Sequence, residues 1–218
     1  MVFLWGLSMR RFKTVATLLS MFLLISCSSH PPLDNTVKLP TDYTYIVGPG
    51  DSIEIFVWDN PDISKSVTVR PDGKISTPLI DDLVATGKTP SELARDIEDN
   101  LSQFVREPLV SVIVNGFEGI YEQQIRVIGQ LEGGGGGQSN SFSAQAFPYK
   151  KDMTLLDLLI ELGGLGEYAD GNRSSIFRRI DGTAHQFGIK IDDLLEGDVS
   201  ANIKILPGDV LLIPEAFF

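Results

Sequence analysis

The alternation of apolar and polar residues along the chain predicts a series of short β-strands. Residues 53–57 alternate with a period of two after the turn sequence Pro49-Gly50, which is typical of a half-buried strand. Residues 67–70 and 74–77 flank Pro71-Asp72-Gly73 and predict a β-hairpin. Further strands are expected over residues 109–114, 124–128, 175–179 and 185–189 and within 203–213.

Two segments have the spacing of amphipathic helices. The first covers residues 89–104, where Thr89, Pro90 and Glu92 form the capping sequence of a helix N-terminus. The second covers residues 154–162, with Thr154 as the expected cap. The buried stripe of the first helix is expected to comprise Leu93, Ile97, Leu101 and Phe104, and that of the second Leu155, Leu158, Leu159 and Leu162.

The order of these elements is strands, helix, strand, and then again strand, helix, strands. This order predicts an α+β fold built from two small units in tandem. The turn sequence Pro-Gly-Asp occurs twice, at residues 49–51 and 207–209. In each case it leads into an apolar strand, so we interpret it as a repeated turn.

An apolar run without strand or helix periodicity lies near the N-terminus, over residues 14–25. It follows the basic residues Arg10, Arg11 and Lys13, as in a secretory signal peptide. It is too short for a membrane span, which needs about 20 residues. Met9 is a better start for such a signal than Met1, so the first eight residues are expected to lie outside the translated protein.

The sequence Leu24-Ile25-Ser26-Cys27 ends this run and contains the chain's single cysteine. It has the form of a lipobox, which predicts cleavage between Ser26 and Cys27 and attachment of diacylglycerol to the Cys27 sulfur. A membrane anchor and a plain secretory signal with a spare thiol are the alternatives. Since the next residue, Ser28, is not aspartate, the bacterial sorting rule that this resemblance implies favours the outer membrane.

The charge and the chemistry-bearing residues exclude several classes of protein. The chain has 29 acidic and 18 basic residues and a net charge of −11, which argues against binding nucleic acid or anionic lipid. Its histidines, His30 and His185, do not have the spacing of a metal site. We therefore expect no catalytic residue, no metal site and no cofactor.

Acid pairs and the glycine run are the remaining candidates for chemistry. The acid pairs at residues 81–82 and 192–193 are expected to be solvated, with acid–base catalysis or calcium binding as the alternative. The five glycines at 133–137 lack the motif of a phosphate-binding loop and predict a flexible loop.

Four residues are candidates for contacts with other molecules. Trp58, beside Phe56, is expected in the core or at an interface, with stacking on sugar as the alternative. Arg70 and Lys74 flank the turn that contains Asp72. This hairpin is expected either to contact a subunit or to be solvated. Trp58, Arg70, Asp72 and Lys74 are thus the candidate subunit or polymer contacts.

Several motifs carry a family resemblance. Residues 45–58, 69–78 and 87–93 resemble the polysaccharide export domain. The later motifs resemble the soluble ligand-binding β-grasp (SLBB) domain that follows it, and they lie at residues 124–129, 153–157, 163–165 and 206–210. Together with the ending Ile213-Pro214-Glu215, they most resemble the export lipoproteins of exosortase-associated (PEP-CTERM-type) exopolysaccharide systems.

This resemblance implies a division of the chain into signal, tether and two domains. The expected bounds are 1–26 for the signal peptide, 27–42 for the lipidated tether, 43–118 for the polysaccharide export domain and 122–218 for the β-grasp domain. The glycine-rich stretch 133–142 then reads as an insertion, which serves either as a linker or as a contact to a neighbour.

The resemblance also implies a function and a set of partners. The expected protein is an outer-membrane lipoprotein with its body in the periplasm, and it forms a homo-oligomeric ring through which exopolysaccharide passes. It meets an inner-membrane chain-length regulator or tyrosine-kinase-type protein and catalyses no reaction. No amphipathic helix follows the last strand, so a separate outer-membrane β-barrel is the expected further partner. The alternative is a periplasmic lipoprotein that binds or senses glycan without conducting it.

Overall fold

A computed structural model describes residues 30–33, 43–131 and 141–216. Within these residues the chain forms ten β-strands and three α-helices. The strands belong to three sheets, and the buried apolar residues form two clusters, one over residues 47–110 and one over residues 125–213. The predicted α+β fold is confirmed, while the division into domains stays a prediction.

The first group of elements surrounds the cluster of residues 47–110. Its elements are β1 (Ser52–Val57), β2 (Lys65–Thr68), β3 (Lys74–Thr77), β4 (Ile80–Val84), α1 (Pro90–Leu101) and β5 (Val110–Gly116). Strand β1 lies between β2 and β5, antiparallel to both, and β3 pairs with β4. The alternation over residues 53–57 is confirmed, because Ile53, Ile55 and Val57 are buried and pack in the same cluster as α1.

The hairpin predicted around residues 71–73 forms its turn but not its strand pairing. The Arg70 N–H donates to the Lys74 carbonyl at 2.9 Å. Val69, however, exchanges its two backbone hydrogen bonds with Gly50 and Asp51, each at 2.9 Å. Because these bonds extend the pairing of β1 with β2, β3 takes β4 as its partner instead.

Helix α1 has the predicted start but a different end. The Thr89 and Glu92 side chains form the capping box, and Leu93, Ile97 and Leu101 are buried. The prediction for Phe104 is wrong, since its side chain is 60 % exposed. The helix ends at Leu101, whose carbonyl accepts from the N–H groups of both Phe104 and Val105, so Phe104 leaves the apolar stripe.

The second group of elements surrounds the other cluster. Its elements are β6 (Ile125–Leu131), β7 (Ser141–Phe147), α2 (Leu155–Leu162), β8 (Ser175–Ile180), β9 (Thr183–Gly188), α3 (Ile191–Leu195) and β10 (Val210–Ile213). The strand order is β7-β6-β10-β8-β9, and only the β6–β10 pair within this sheet is parallel. Pro32 forms an isolated parallel bridge to Gly188, and Leu33 packs against this cluster.

The five-stranded sheet has one covered face and one open face. All four leucines predicted for the buried stripe of α2 are buried in one cluster with Ile125, Val127 and Leu211. On the other face Val210 lies opposite both Arg126 and Phe177. These positions are exposed or half-buried, so side chains on this face can contact other molecules.

Candidate functional site

The two Pro-Gly-Asp turns place a buried carboxylate at the same position. Asp51 accepts a hydrogen bond from the Gly48 N–H at 2.8 Å, and Asp209 accepts one from the Leu206 N–H at 2.7 Å. Both aspartates are nearly inaccessible to solvent. Each carboxylate thus closes its own turn by bonding a backbone group three residues earlier.

Asp51 also joins the two ends of the first group of elements. It accepts hydrogen bonds from the Tyr45 hydroxyl at 2.6 Å and from the N–H groups of Glu118 and Gly119 at 2.7 and 2.8 Å. Burial raises the pKa of the Tyr45 hydroxyl, and its hydrogen bond to the Asp51 carboxylate raises that pKa further. With four donors around it, Asp51 stabilises the structure and is not available to a ligand.

Asp209 forms a buried ion pair with Arg178. The Arg178 Nε and Nη2 atoms lie 3.0 and 2.6 Å from the two Asp209 oxygens, and Nη2 also donates to the Lys204 carbonyl at 2.8 Å. Burial raises the pKa of the Asp209 carboxyl, and the Arg178 guanidinium opposes this effect. A pair so enclosed fixes the turn against the sheet.

Three of the predicted contact residues lie at the turn between β2 and β3. The Arg70 guanidinium pairs with Asp72 and, at 2.6 Å, with Asp82. The hydrogen bond from Arg70 lowers the pKa of the Asp72 carboxyl. The Lys74 N–H donates to the same carboxylate at 3.3 Å. The charge of Arg70 is therefore balanced by one acid of its own turn and one of β4, which fits a solvated turn as well as a contact surface.

Trp58, the fourth predicted contact residue, directly follows β1 and has different neighbours from the other three. Its side chain is 66 % exposed, so the prediction of a core position is wrong, while an interface and a sugar contact both remain open. Its ring meets that of Phe56 edge to face, with centroids 6.4 Å apart. Its backbone N–H donates to the Leu109 carbonyl at 2.9 Å. We call the surface depression here, of about 290 Å³, the Trp58 groove; it is lined by Phe56, Trp58, Arg95, Glu98 and Leu109.

A larger cleft, which the sequence did not indicate, opens on the uncovered face of the five-stranded sheet. Its volume is about 620 Å³. We call it the arginine cleft and define it by Tyr121, Glu122, Arg126, Phe177, Arg179 and Val210. Arg126 of β6 and Arg179 of β8 each occupy an exposed position, in a part of the strand where buried and more exposed residues alternate. Only the strand order, which inserts β10 between β6 and β8, brings them to one cleft.

The remaining predicted residues either form hydrogen bonds within the fold or lie outside the described residues. Asp192 and Asp193 accept hydrogen bonds from the Asn172 backbone and side chain at 2.9 and 2.7 Å. Across the described residues, no three metal-ligating side chains group together, and no helix is long and apolar enough to cross a membrane. Ser26, Cys27 and residues 133–140 of the glycine-rich stretch lie outside the described residues.

Comparison with known proteins finds a family match over most of the first group of elements. Residues 39–115 match the family described as polysaccharide biosynthesis/export protein. The matched segment contains the Asp51 turn, the Arg70 hairpin and α1.

One curated relative extends the similarity over most of the chain. The chain is 24 % identical over 212 residues to the EPS I polysaccharide export outer membrane protein EpsA of Ralstonia nicotianae (strain ATCC BAA-1114 / GMI1000). The alignment covers 86 % of this chain and 52 % of that protein, so the chain spans about half the length of the curated relative it matches. Similarity to a transport component agrees with the prediction that the chain is not an enzyme.

Proposed function

We propose that this chain is a lipid-anchored outer-membrane component of an exopolysaccharide export machinery, with its body in the periplasm. The observation that carries the proposal is the match of residues 39–115 to the export family. The similarity to an export protein of the outer membrane supports the location. The lipobox ending in Cys27 supports attachment through a lipid.

In this proposal the protein acts by assembly and not by chemistry. Identical copies pack head to tail around a closed axis, and the polymer passes through the hydrated space that they enclose. An inner-membrane chain-length regulator or tyrosine-kinase-type protein is the expected partner, and an exosortase-associated system is the expected setting.

A second candidate function is a periplasmic lipoprotein that binds glycan without conducting it. The arginine cleft favours this candidate because it is an open, partly aromatic concavity of about 620 Å³. The two functions differ in what loss of the protein does. Without a conduit component the polymer stays in the cell, whereas loss of a binding protein leaves secretion intact.

The test is a measurement of polysaccharide inside and outside cells that lack the gene. We expect extracellular polymer to disappear while the synthesis genes stay intact, and we expect the parent gene, but not Cys27→Ala, to restore it. Unchanged secretion in the deletion strain would refute the export function. Restoration by Cys27→Ala would refute only the need for a lipid anchor, and the mass of the mature N-terminus shows directly whether Cys27 is modified.

A further inference from the structure

The arginine cleft stays open because its floor lacks a large side chain. Val210 of β10 forms the floor between Arg126 of β6 and Phe177 of β8. Gly208 lies in the turn two residues before Val210 and also lines the cleft, with φ +83°. A Cβ atom there would lie 2.6 Å from the Glu122 carbonyl oxygen, so the turn itself excludes a side chain that would fill the space.

Among the residues that define the cleft, two arginines stand against a single acid, Glu122, so the net charge of this set is positive. Arg126 and Arg179 are exposed, and neither guanidinium forms an ion pair with a described residue, whereas Arg70, Arg95 and Arg178 all do. This occurs in a chain with a net charge of −11. Free cationic side chains beside a concavity favour an anionic ligand.

The walls of the cleft suit a ring-shaped ligand. Tyr121 is 66 % exposed, so its aromatic ring can cover the apolar face of a sugar while its hydroxyl stays in water. Phe177, which is half-buried, lines the same cleft. The volume of about 620 Å³ lies within the range of small-molecule sites, roughly 300–1,000 Å³.

We infer that the arginine cleft binds a sugar unit that carries a carboxylate, and that the polysaccharide this protein handles is therefore acidic. Arg126 and Arg179 would bind the carboxylate through charge-assisted hydrogen bonds, and Tyr121 would contact the sugar ring. This inference rests on the proposed export function. An acidic segment of a second copy is the competing occupant, and its binding would change the oligomeric state.

The direct test measures binding of oligogalacturonate, about six residues long, to the full chain in detergent by NMR titration. Methyl-esterified oligogalacturonate of the same length, which lacks the charge, is the reference ligand. We expect the acidic probe to bind at least several-fold more tightly. The double variant Arg126→Gln/Arg179→Gln should weaken it roughly tenfold, since two exposed charge contacts are lost.

Three further variants sharpen the test. Arg106→Gln removes an exposed arginine outside the cleft and should leave binding unchanged. Glu122→Gln removes the acid from the cleft lining and should tighten binding of the acidic probe. Tyr121→Leu should weaken both probes to a similar degree, because it removes the ring and leaves the charges.

Three results would overturn the inference. They are no binding of the acidic probe, equal affinity of the parent for both probes, and an affinity of the double variant for the acidic probe equal to that of the parent. A change in oligomeric state caused by Arg126→Gln/Arg179→Gln without any probe would assign the cleft to a second copy, which also refutes it. These outcomes are independent of the export function. The deletion strain tests secretion whether or not the cleft binds acidic sugar.

Discussion

At the scale of single residues, the two buried aspartates explain why the Pro-Gly-Asp sequence occurs twice. Pro and Gly fit a turn by their backbone preferences, and this much is visible in the sequence. The roles of Asp51 and Asp209 are not, because several of their partners are distant in sequence: Glu118 and Gly119 for the first, and Arg178 for the second. Such partners become visible only once the chain is folded.

Replacing Arg178 should destabilise the fold strongly. Arg178→Met leaves the Asp209 carboxylate buried without its ion-pair partner, which typically costs about 3–5 kcal/mol. Urea denaturation followed by circular dichroism measures the free energy of unfolding. The double variant Arg178→Met/Asp209→Leu should recover part of this loss, because no uncompensated charge is left.

The matched control for this pair is Lys204→Met. The Lys204 side chain is 55 % exposed, and its Nζ lies 3.8 Å from an Asp152 oxygen. Exposed ion pairs of this kind contribute about 0–1 kcal/mol, so the free energy of unfolding of this variant should be close to that of the parent. A cost for Arg178→Met as small as that of the control would contradict a structural role for the buried pair.

Replacing Asp51 should cost more than replacing its tyrosine partner. Asp51→Ala removes the acceptor of three backbone N–H groups, and unsatisfied buried donors cost roughly 1–3 kcal/mol each. Tyr45→Phe removes one hydrogen bond and keeps the ring that packs edge to face on Phe117, so it should cost about 1 kcal/mol. Thermal unfolding of both variants checks the order, and equal losses would show that Asp51 does not organise the turn.

At the scale of elements, the capping sequences made both long helices predictable. The Thr89 and Thr154 boxes form as the spacing indicated, because cap contacts span only three residues. The strand pairing of residues 67–77 was not predictable in this way. Val69 is committed to Gly50 and Asp51, and this long-range choice overrides the local turn signal.

The capping box of α2 should make stability depend on pH. The Asp157 carboxylate accepts hydrogen bonds from the Thr154 hydroxyl and N–H at 2.7 and 2.9 Å, which lower its pKa. A carboxylate whose pKa is lowered by folding stabilises the fold fully at pH values above its pKa in the unfolded chain, about 3.9. This stabilisation is lost as the pH falls through the pKa of the folded state. Asp157→Asn should therefore be less stable than the parent at pH 7, with a gap that narrows as the pH falls below about 4.

Chemical denaturation of both proteins across this pH range measures the effect. Glu196→Gln changes an exposed acid beyond the end of α3 and serves as the control. The free energy of unfolding of this variant should stay close to that of the parent at every pH tested. A gap for Asp157→Asn that is constant with pH would mean that the charge of Asp157 does not contribute to the cap.

At the scale of the whole molecule, the described surface has two different candidate contact regions. The Trp58 groove combines exposed apolar and aromatic side chains with the Arg95–Glu98 ion pair, whereas the arginine cleft has two arginines without an ion-pair partner among the described residues. Neither could be assembled from the sequence, because each combines residues of separate elements: β1, α1 and the segment before β5 in one case, and β6, β8 and β10 in the other. The sequence identified Trp58 itself, since a tryptophan directly after an alternating strand is conspicuous.

Trp58 should contribute to assembly and not to folding. Exposed aromatic residues beside apolar neighbours are typical of protein interfaces, and Trp58 lies beside Phe56 and the 61 % exposed Leu109. We expect Trp58→Ser to change the free energy of unfolding by less than about 0.5 kcal/mol, as surface substitutions do. The same variant should reduce the mass of the assembly in detergent, measured by light scattering.

Ile160→Ser is the matched control for this experiment, because Ile160 is 71 % exposed on α2 and its loss removes apolar surface outside the groove. It should leave the assembly unchanged. If Trp58→Ser also leaves the assembly unchanged, the groove is not the subunit contact. Should Trp58→Ser keep the assembly but abolish secretion, the aromatic pair contacts the polymer instead, because the conduit would then be built but unable to pass its cargo.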